Sequence, residues 1–295
     1  MPVLLLLLSL VSPFMGSQTD PAGWTRYPVI AHGMGEIGGT AVSNSYDAFV
    51  SNYAKGFRVF ETDLQLTSDG YLVARHDWGA YLYGLLGQDK PDGVGEKEPI
   101  PLETFKSLRI DGKYRPLEFA DIVKLLEAYP DAYLVTDTKE WDPDAVRRKF
   151  GIIAETAADI APEVLKRIVP QIYDQDMYET LEDVYPFYSY IYTLYESDDS
   201  NEEVVEFVKE TPKIKAVAMP QDRVTQPFAS ELKRAGVKTY VHTVNDYFVY
   251  ESLRGLGIDG IYTDRLAEKE IRMAELRYPG QAATLAGIDA ADRIK

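Results

Sequence analysis

Short β-rich runs alternate with stretches of helical period along most of this chain. The runs fall at Pro28–Ala31, Arg58–Thr67, Tyr71–His76, Ala132–Thr136, Ile168–Tyr173, Tyr188–Leu194, Ala216–Met219, Thr239–Val244 and Gly260–Thr263. Helical patterns lie between most of them. Ser43–Lys55 has Asn44 or Ser45 as a cap and Gly56 as a stop, and Pro116 sits at the start of a pattern reaching Ala128. Further helices are expected over Pro143–Ala158, Asn201–Lys209, Gln226–Ala235 and Asp246–Leu256. Ser68-Asp69-Gly70 reads as a turn joining two β runs. The stretch 78–114 mixes Gly, Pro and charge without a clear period and is expected to be an inserted excursion. Its apolar start, Trp78–Leu86, reads as a packed loop, with lipid contact as the alternative.

Repeated β-then-α units imply parallel strands joined by right-handed crossovers. About eight such units predict an α/β fold, a (β/α)8 TIM barrel with a small insertion after the second strand region. The open doubly wound sheet is the alternative, and no GxGxxG turn supports it. Residues 1–24 are expected to be a signal peptide and linker outside the fold. The apolar run Val3–Val11 is too short to cross a bilayer comfortably, although no Lys or Arg precedes Arg26. The expectation is therefore an exported protein of bacterial type, secreted or associated with the cell envelope. The barrel is expected to span 25–270 and 271–295 to form a C-terminal tail, with a helical stretch near Ala267–Leu276 across that boundary and an Ala-rich end after it.

Composition narrows the chemistry. With 31 Lys+Arg against 47 Asp+Glu the formal net charge is −16, which argues against nucleic acid and against electrostatic docking on anionic lipid. An anionic substrate would need a local reversal of that field. The chain has no cysteine, which removes disulfides, thiolate catalysis and Cys-based zinc sites. Its three histidines are His32, His76 and His242.

In a barrel, chemistry concentrates where strands end. His32 ends the first run, His76 the third, and Asp137 and Lys139 follow Tyr133–Thr136. Gln171 and His242 lie within later runs, and Asp264 follows the last. Residues i and i+2 of a strand share a face, so Glu61 and Asp63 project two carboxylates side by side. An E-x-D pair on a strand is usually a solvated face, but Phe60, Leu64 and Leu66 surround this one. Carboxylates gathered in a barrel mouth repel unless protonated or bound to a cation. An all-oxygen site suits Mg²⁺ or Ca²⁺. Asp137 and Lys139 are either a structural pair or a phosphate contact, and His242 is either a core residue or part of the site. The Tyr185–Tyr195 segment reads as packing, with an aromatic wall for a lipid or sugar as the alternative.

His32-Gly33, the Asn44–Phe49 helix, Gly56–Gly70, Ala74-Arg75-His76-Asp77, Thr243–Asp246 and Gly257–Arg265 together resemble the glycerophosphodiester phosphodiesterase family over roughly residues 28–266. The resemblance implies a (β/α)8 barrel and a metal-assisted phosphodiesterase. His32 and His76 would be its catalytic histidines, Glu61, Asp63 and Asp137 its metal ligands, and Mg²⁺ or Ca²⁺ its ion. Lys139, with Gln171 and His242, would contact substrate. The expected partner is a small-molecule or lipid-derived phosphodiester. Four departures stand out: Gly33 where the family has Arg, Ser43-Asn44-Ser45 for Glu-Asn-Thr, Asp137 for Glu, and His242 for Trp. They keep two alternatives open: a phospholipase C- or D-like lipid phosphodiesterase, and an inactive ligand-binding barrel.

Overall fold

The computed structural model describes residues 20–278, so residues 1–19 of the expected signal peptide and linker and 279–295 of the expected tail lie outside the described residues. The elements are β1 (Val29–Ala31), α1 (Tyr46–Lys55), β2 (Val59–Leu66), β3 (Leu72–Ala74), α2 (Ala80–Leu85), α3 (Leu102–Ser107), α4 (Phe119–Ala128), β4 (Tyr133–Asp137) and α5 (Pro143–Ile160). There follow β5 (Ile168–Ile172), α6 (Gln175–Val184), β6 (Tyr190–Thr193), α7 (Asn201–Glu210), β7 (Ile214–Pro220), α8 (Gln226–Arg234), β8 (Lys238–His242), α9 (Tyr247–Gly255), β9 (Gly260–Thr263) and α10 (Glu268–Arg277). Strand order β1-β9-β8-β7-β6-β5-β4-β2, closed by pairing of β1 with β2, makes an eight-stranded parallel barrel inside a ring of helices.

Three differences from the sequence pattern have physical causes. The run at Tyr71–His76 is no barrel strand: β3 folds back antiparallel on β2, with Leu64 opposite Ala74, because Gly70 at φ +88° closes a tight turn. Helix α6 was not apparent in the sequence pattern. Its apolar face is short (Met177, Leu181), and it is set by the Asp174 side chain, which accepts the Met177 N–H at 2.6 Å. The α4 helix starts at Phe119 rather than Pro116, whose segment bridges Ser45 instead.

The interior of the barrel takes residues from all eight strands: Ile30, Val59, Tyr133, Val135, Val169, Ile191, Ala216, Ala218, Tyr240 and Tyr262. Gly260 lets β9 approach closely, since a Cβ there would stand 2.5 Å from the Pro28 carbonyl oxygen. The folded unit also takes in Asp20–Trp24, ahead of the expected boundary at 25. Trp24 is fully buried in the interior cluster, and its indole N–H donates to Ser189 Oγ at 3.1 Å. Trp24→Ala should therefore cost about 3–5 kcal/mol in urea unfolding, by loss of buried area and an unfilled cavity. A change under 1 kcal/mol, on the order of a surface substitution, would show that the plug is dispensable.

The inserted segment is ordered and built on its own apolar core: Trp78, Tyr83, Ile100, Leu102 and Phe105 meet Val73 of β3. Arg75 ties it to the barrel. The buried guanidinium lies 4.9 Å from the Trp78 ring and 4.3 Å from Tyr83, and its Nε donates to the Asp77 carbonyl at 2.6 Å. The packed-loop reading of Trp78–Leu86 holds for Trp78, Leu82, Tyr83 and Leu86, while Tyr81 and Leu85 face outward.

Candidate active site at the barrel mouth

The site continues the inward alternation of the core. Val59, Glu61 and Asp63 form one row along β2, and Tyr133, Val135 and Asp137 another along β4. Parallel register sets Asp63 opposite Asp137. One oxygen from each of Glu61, Asp63 and Asp137 lies within 4.8 Å of the others, and all three residues are buried.

Each carboxylate is fixed from a different element. Glu61 Oε2 accepts the Gly33 backbone N–H at 2.7 Å. Asp63 Oδ2 accepts from Asn44 Nδ2 at 2.9 Å, while Asn44 Oδ1 accepts the Asp63 N–H at 3.1 Å. Ser45 therefore caps α1, accepting the Ala48 N–H, and Asn44 is left to hold Asp63. Asp137 Oδ1 accepts from the Tyr173 hydroxyl, with Tyr195 at 3.3 Å. Lys139 stands beyond the end of β4 in the left-handed region, φ +49°, and its ammonium bridges Asp63 and Asp137 Oδ2, the latter at 2.7 Å.

Burial and the neighbouring Asp63 charge push the Glu61 carboxyl up to about 8. Burial would raise Asp63 too, but Lys139 and the two nearby histidines, His76 and His32, outweigh it and hold that carboxyl low. Burial likewise opposes the Lys139 charge, and the surrounding carboxylates more than restore it. The second oxygen of Glu61, Oε1, is buried with no hydrogen-bond partner among the described residues. Three converging hard oxygen donors, one of them unpartnered, fit a divalent cation such as Mg²⁺ or Ca²⁺.

Both expected catalytic histidines are at the mouth, each oriented by an aspartate. His32 Nδ1 pairs with Asp264 Oδ1 at 2.9 Å, and Asp264 Oδ2 accepts from Asn245 Nδ2 at 2.5 Å. His76 Nδ1 pairs with Asp77 Oδ2 at 2.7 Å, and Asp77 Oδ1 accepts the Gly79 N–H. With Nδ1 engaged, Nε2 is the atom each ring offers for proton transfer. Burial works to lower the His32 pKa, but the Asp264 hydrogen bond and the charges of Glu61 and Asp63 raise it to about 9.

The remaining expected residues occupy the same layer with different partners. Gln171 Oε1 accepts from the Tyr262 hydroxyl at 2.7 Å. His242 stands edge-on to Tyr195 and Tyr262, and burial, with repulsion from His32, lowers it to about 4. Two tyrosines join the site beyond the expected residues: Tyr173, and Tyr195 from the segment expected to pack. Alternation along β5 (Val169, Gln171), carried one residue past its end, points to Tyr173. Gly33 cannot be the arginine of the resemblance in this backbone: it has φ +53°, and a Cβ would meet Val42 Cα at 2.5 Å. Gly33→Ala is expected to destabilise by about 1–3 kcal/mol and to disturb Glu61, read by urea midpoint and by cation affinity. Wild-type values for both would show that the loop yields without cost.

Fold and mouth together define a class: a (β/α)8 barrel with an acidic, histidine-flanked site at its C-terminal face. A sequence model of the glycerophosphoryl diester phosphodiesterase family matches residues 36–268. The chain belongs to that family and is a phosphoric diester hydrolase; the match begins just after His32 and includes the three carboxylates, Lys139 and His76. Among solved structures it is similar to a phosphodiesterase from Oleispira antarctica in complex with the product sn-glycerol-3-phosphate, at 18% identity, with 85% of this chain and 98% of that one covered and a TM-score of 0.67. A glycerophosphodiester phosphodiesterase from Parabacteroides distasonis gives 19% identity, 85% and 97% coverage and a TM-score of 0.65. One from Thermotoga maritima gives 23%, 85%, 98% and 0.59.

Proposed function

We propose that this protein hydrolyses glycerol-based phosphodiesters to glycerol phosphate and an alcohol, with divalent-cation assistance and histidine acid–base catalysis. The observation that carries this reading is the convergence of Glu61, Asp63 and Asp137, with Glu61 Oε1 unpartnered, beside an Asp264-held His32. Mg²⁺ or Ca²⁺ held by those three carboxylates would supply positive charge for a non-bridging phosphoryl oxygen and lower the pKa of a bound hydroxyl. The chain's own groups do the rest. One imidazole Nε2 takes a proton from the attacking hydroxyl, either water or the neighbouring glycerol hydroxyl, which would give a cyclic phosphate first. The other gives a proton to the leaving alkoxide. Asp264 and Asp77 hold the tautomers that make this exchange work. Lys139, already on Asp63 and Asp137, stabilises charge on the phosphoryl oxygens.

The test is a substrate panel, glycerophosphocholine against phosphatidylinositol, in EDTA and with added Mg²⁺ or Ca²⁺. Cation-dependent turnover of glycerophosphocholine is expected. Turnover of phosphatidylinositol alone would favour the lipid phosphodiesterase, undiminished turnover in EDTA would remove the cation, and no turnover of either would favour a binding barrel.

A further inference from the structure

Lys149 is a buried lysine, 3% exposed, on α5, and the chemistry above does not use it. Its surroundings explain why an ammonium stands there. Strands β2 and β4 run in register over five residue pairs, from Val59 with Tyr133 to Asp63 with Asp137. Beyond that pair they part company. Strand β2 continues to Leu66 against β3, whereas the chain after β4 turns away through Lys139 at φ +49°. Where paired strands diverge inside a protein, carbonyls lose their ladder partners and must find others. Two of the carbonyls at this fork point to one group. Lys149 Nζ donates to the Thr138 carbonyl at 2.8 Å and reaches the Leu64 carbonyl at 3.5 Å. Glu140 Oε2, at 3.2 Å, forms an ion pair with the same ammonium. Leu64 and Thr138 are the residues immediately after Asp63 and Asp137. The ammonium thus bridges the two backbones one step behind the two carboxylates. A Leu or Met would fill the same space without the desolvation of a charge, so space filling alone does not account for a lysine.

We propose that Lys149 is a positioning residue for the cation site: by cross-linking Leu64 and Thr138 it sets the spacing of Asp63 and Asp137 and the turn that aims Lys139 at them. The inference rests on the divalent-cation reading above. Its test is calorimetric titration of Mg²⁺ and Ca²⁺ into ion-free protein, with urea unfolding of the same samples. Lys149→Met is expected to fold and to bind the ion about 10- to 100-fold more weakly, the usual effect of losing a group that supports metal ligands from behind. Val146→Ala, a buried position on the same helix that makes no hydrogen bond to the Leu64 or Thr138 carbonyl, is expected to lower the urea midpoint while leaving the dissociation constant in place. A folded Lys149→Met that binds within twofold of wild type would overturn the assignment, as would an equal loss of affinity in Val146→Ala. Should Lys149→Met not fold, Lys149→Gln carries the test, because its shorter amide cannot span the Leu64 and Thr138 carbonyls; a dissociation constant within twofold of wild type there also overturns it. If wild-type protein takes up neither ion, the cation reading itself fails, and that outcome is distinct from the others.

Discussion

His32→Ala and His76→Ala are each expected to lower kcat/KM on glycerophosphocholine by about 10²–10⁴-fold, the usual contribution of one positioned proton-transfer group. The two losses should be similar in rate and unlike in stability. His76 is 40% exposed at its side chain and pairs only with the neighbouring Asp77, so its removal leaves no buried group stranded. His32 is more enclosed, and its loss leaves Asp264 with Asn245 as its remaining side-chain donor, so a lower urea midpoint is expected for that variant alone. Asp264→Asn should separate the role of the ring from its orientation: the imidazole stays, but its tautomer and charge are no longer held, and the pH–rate profile should shift. Steady-state kinetics on the folded variants decide the matter. Wild-type turnover in either alanine variant would remove that histidine from the reaction.

Without divalent ions, the protein should lose stability as pH rises from weakly acid to alkaline values. Two groups set the direction. Glu61 is ordinarily near 4.5 and stands at about 8 when folded, so its protonated form is favoured in the native state and the penalty for ionising it grows between those values. His32 moves from 6.5 to about 9, so the stability it lends is complete below 6.5 and gone above about 9. At about 1.4 kcal/mol per unit, His32 alone gives a fall on the order of 3 kcal/mol across its window, and Glu61 adds to it. Asp63 and Asp264, held low, act the other way only in acid, where protonation costs stability. The ion-free optimum therefore lies on the acid side of neutrality. Saturating Mg²⁺ or Ca²⁺ should restore the alkaline side, since an ion at about 100 times its dissociation constant adds about 2.7 kcal/mol. Urea midpoints at acid, neutral and alkaline pH, in EDTA and with added ion, measure this. A flat or rising ion-free curve, or one that the ion leaves unchanged, would contradict the charge distribution described above.

Much of the site was legible because strand alternation is a local property. Once β2 and β4 are placed, the period of two sends Val59 and Tyr133 into the core and Asp63 and Asp137 into the mouth. The same count sets Gln171 and His242 on the inward rows of their strands, with His32 just past the end of β1. What resisted reading were partners distant in sequence. Tyr173 to Asp137 spans 36 residues, Asn44 to Asp63 spans 19, and His32 to Asp264 spans 232. Trp24 had no neighbouring pattern to announce it, because its burial depends on the closed barrel beneath which it sits. The region 78–114 lacked a readable period since its helices are six residues each, shorter than two turns.

By itself, then, the amino-acid order determined the alternating units, the parallel barrel and the identity of the chemically capable residues at the strand ends, because each follows from period and propensity within a few neighbours. Only the tertiary structure decided that β3 folds back outside the barrel, that Lys139 lies on the two aspartates, that Gly33 serves Glu61 through its backbone, and that Lys149 stands behind the fork. Those outcomes depend on which distant carbonyls and carboxylates the closed barrel brings within hydrogen-bond reach of one another, and no local pattern encodes that distance.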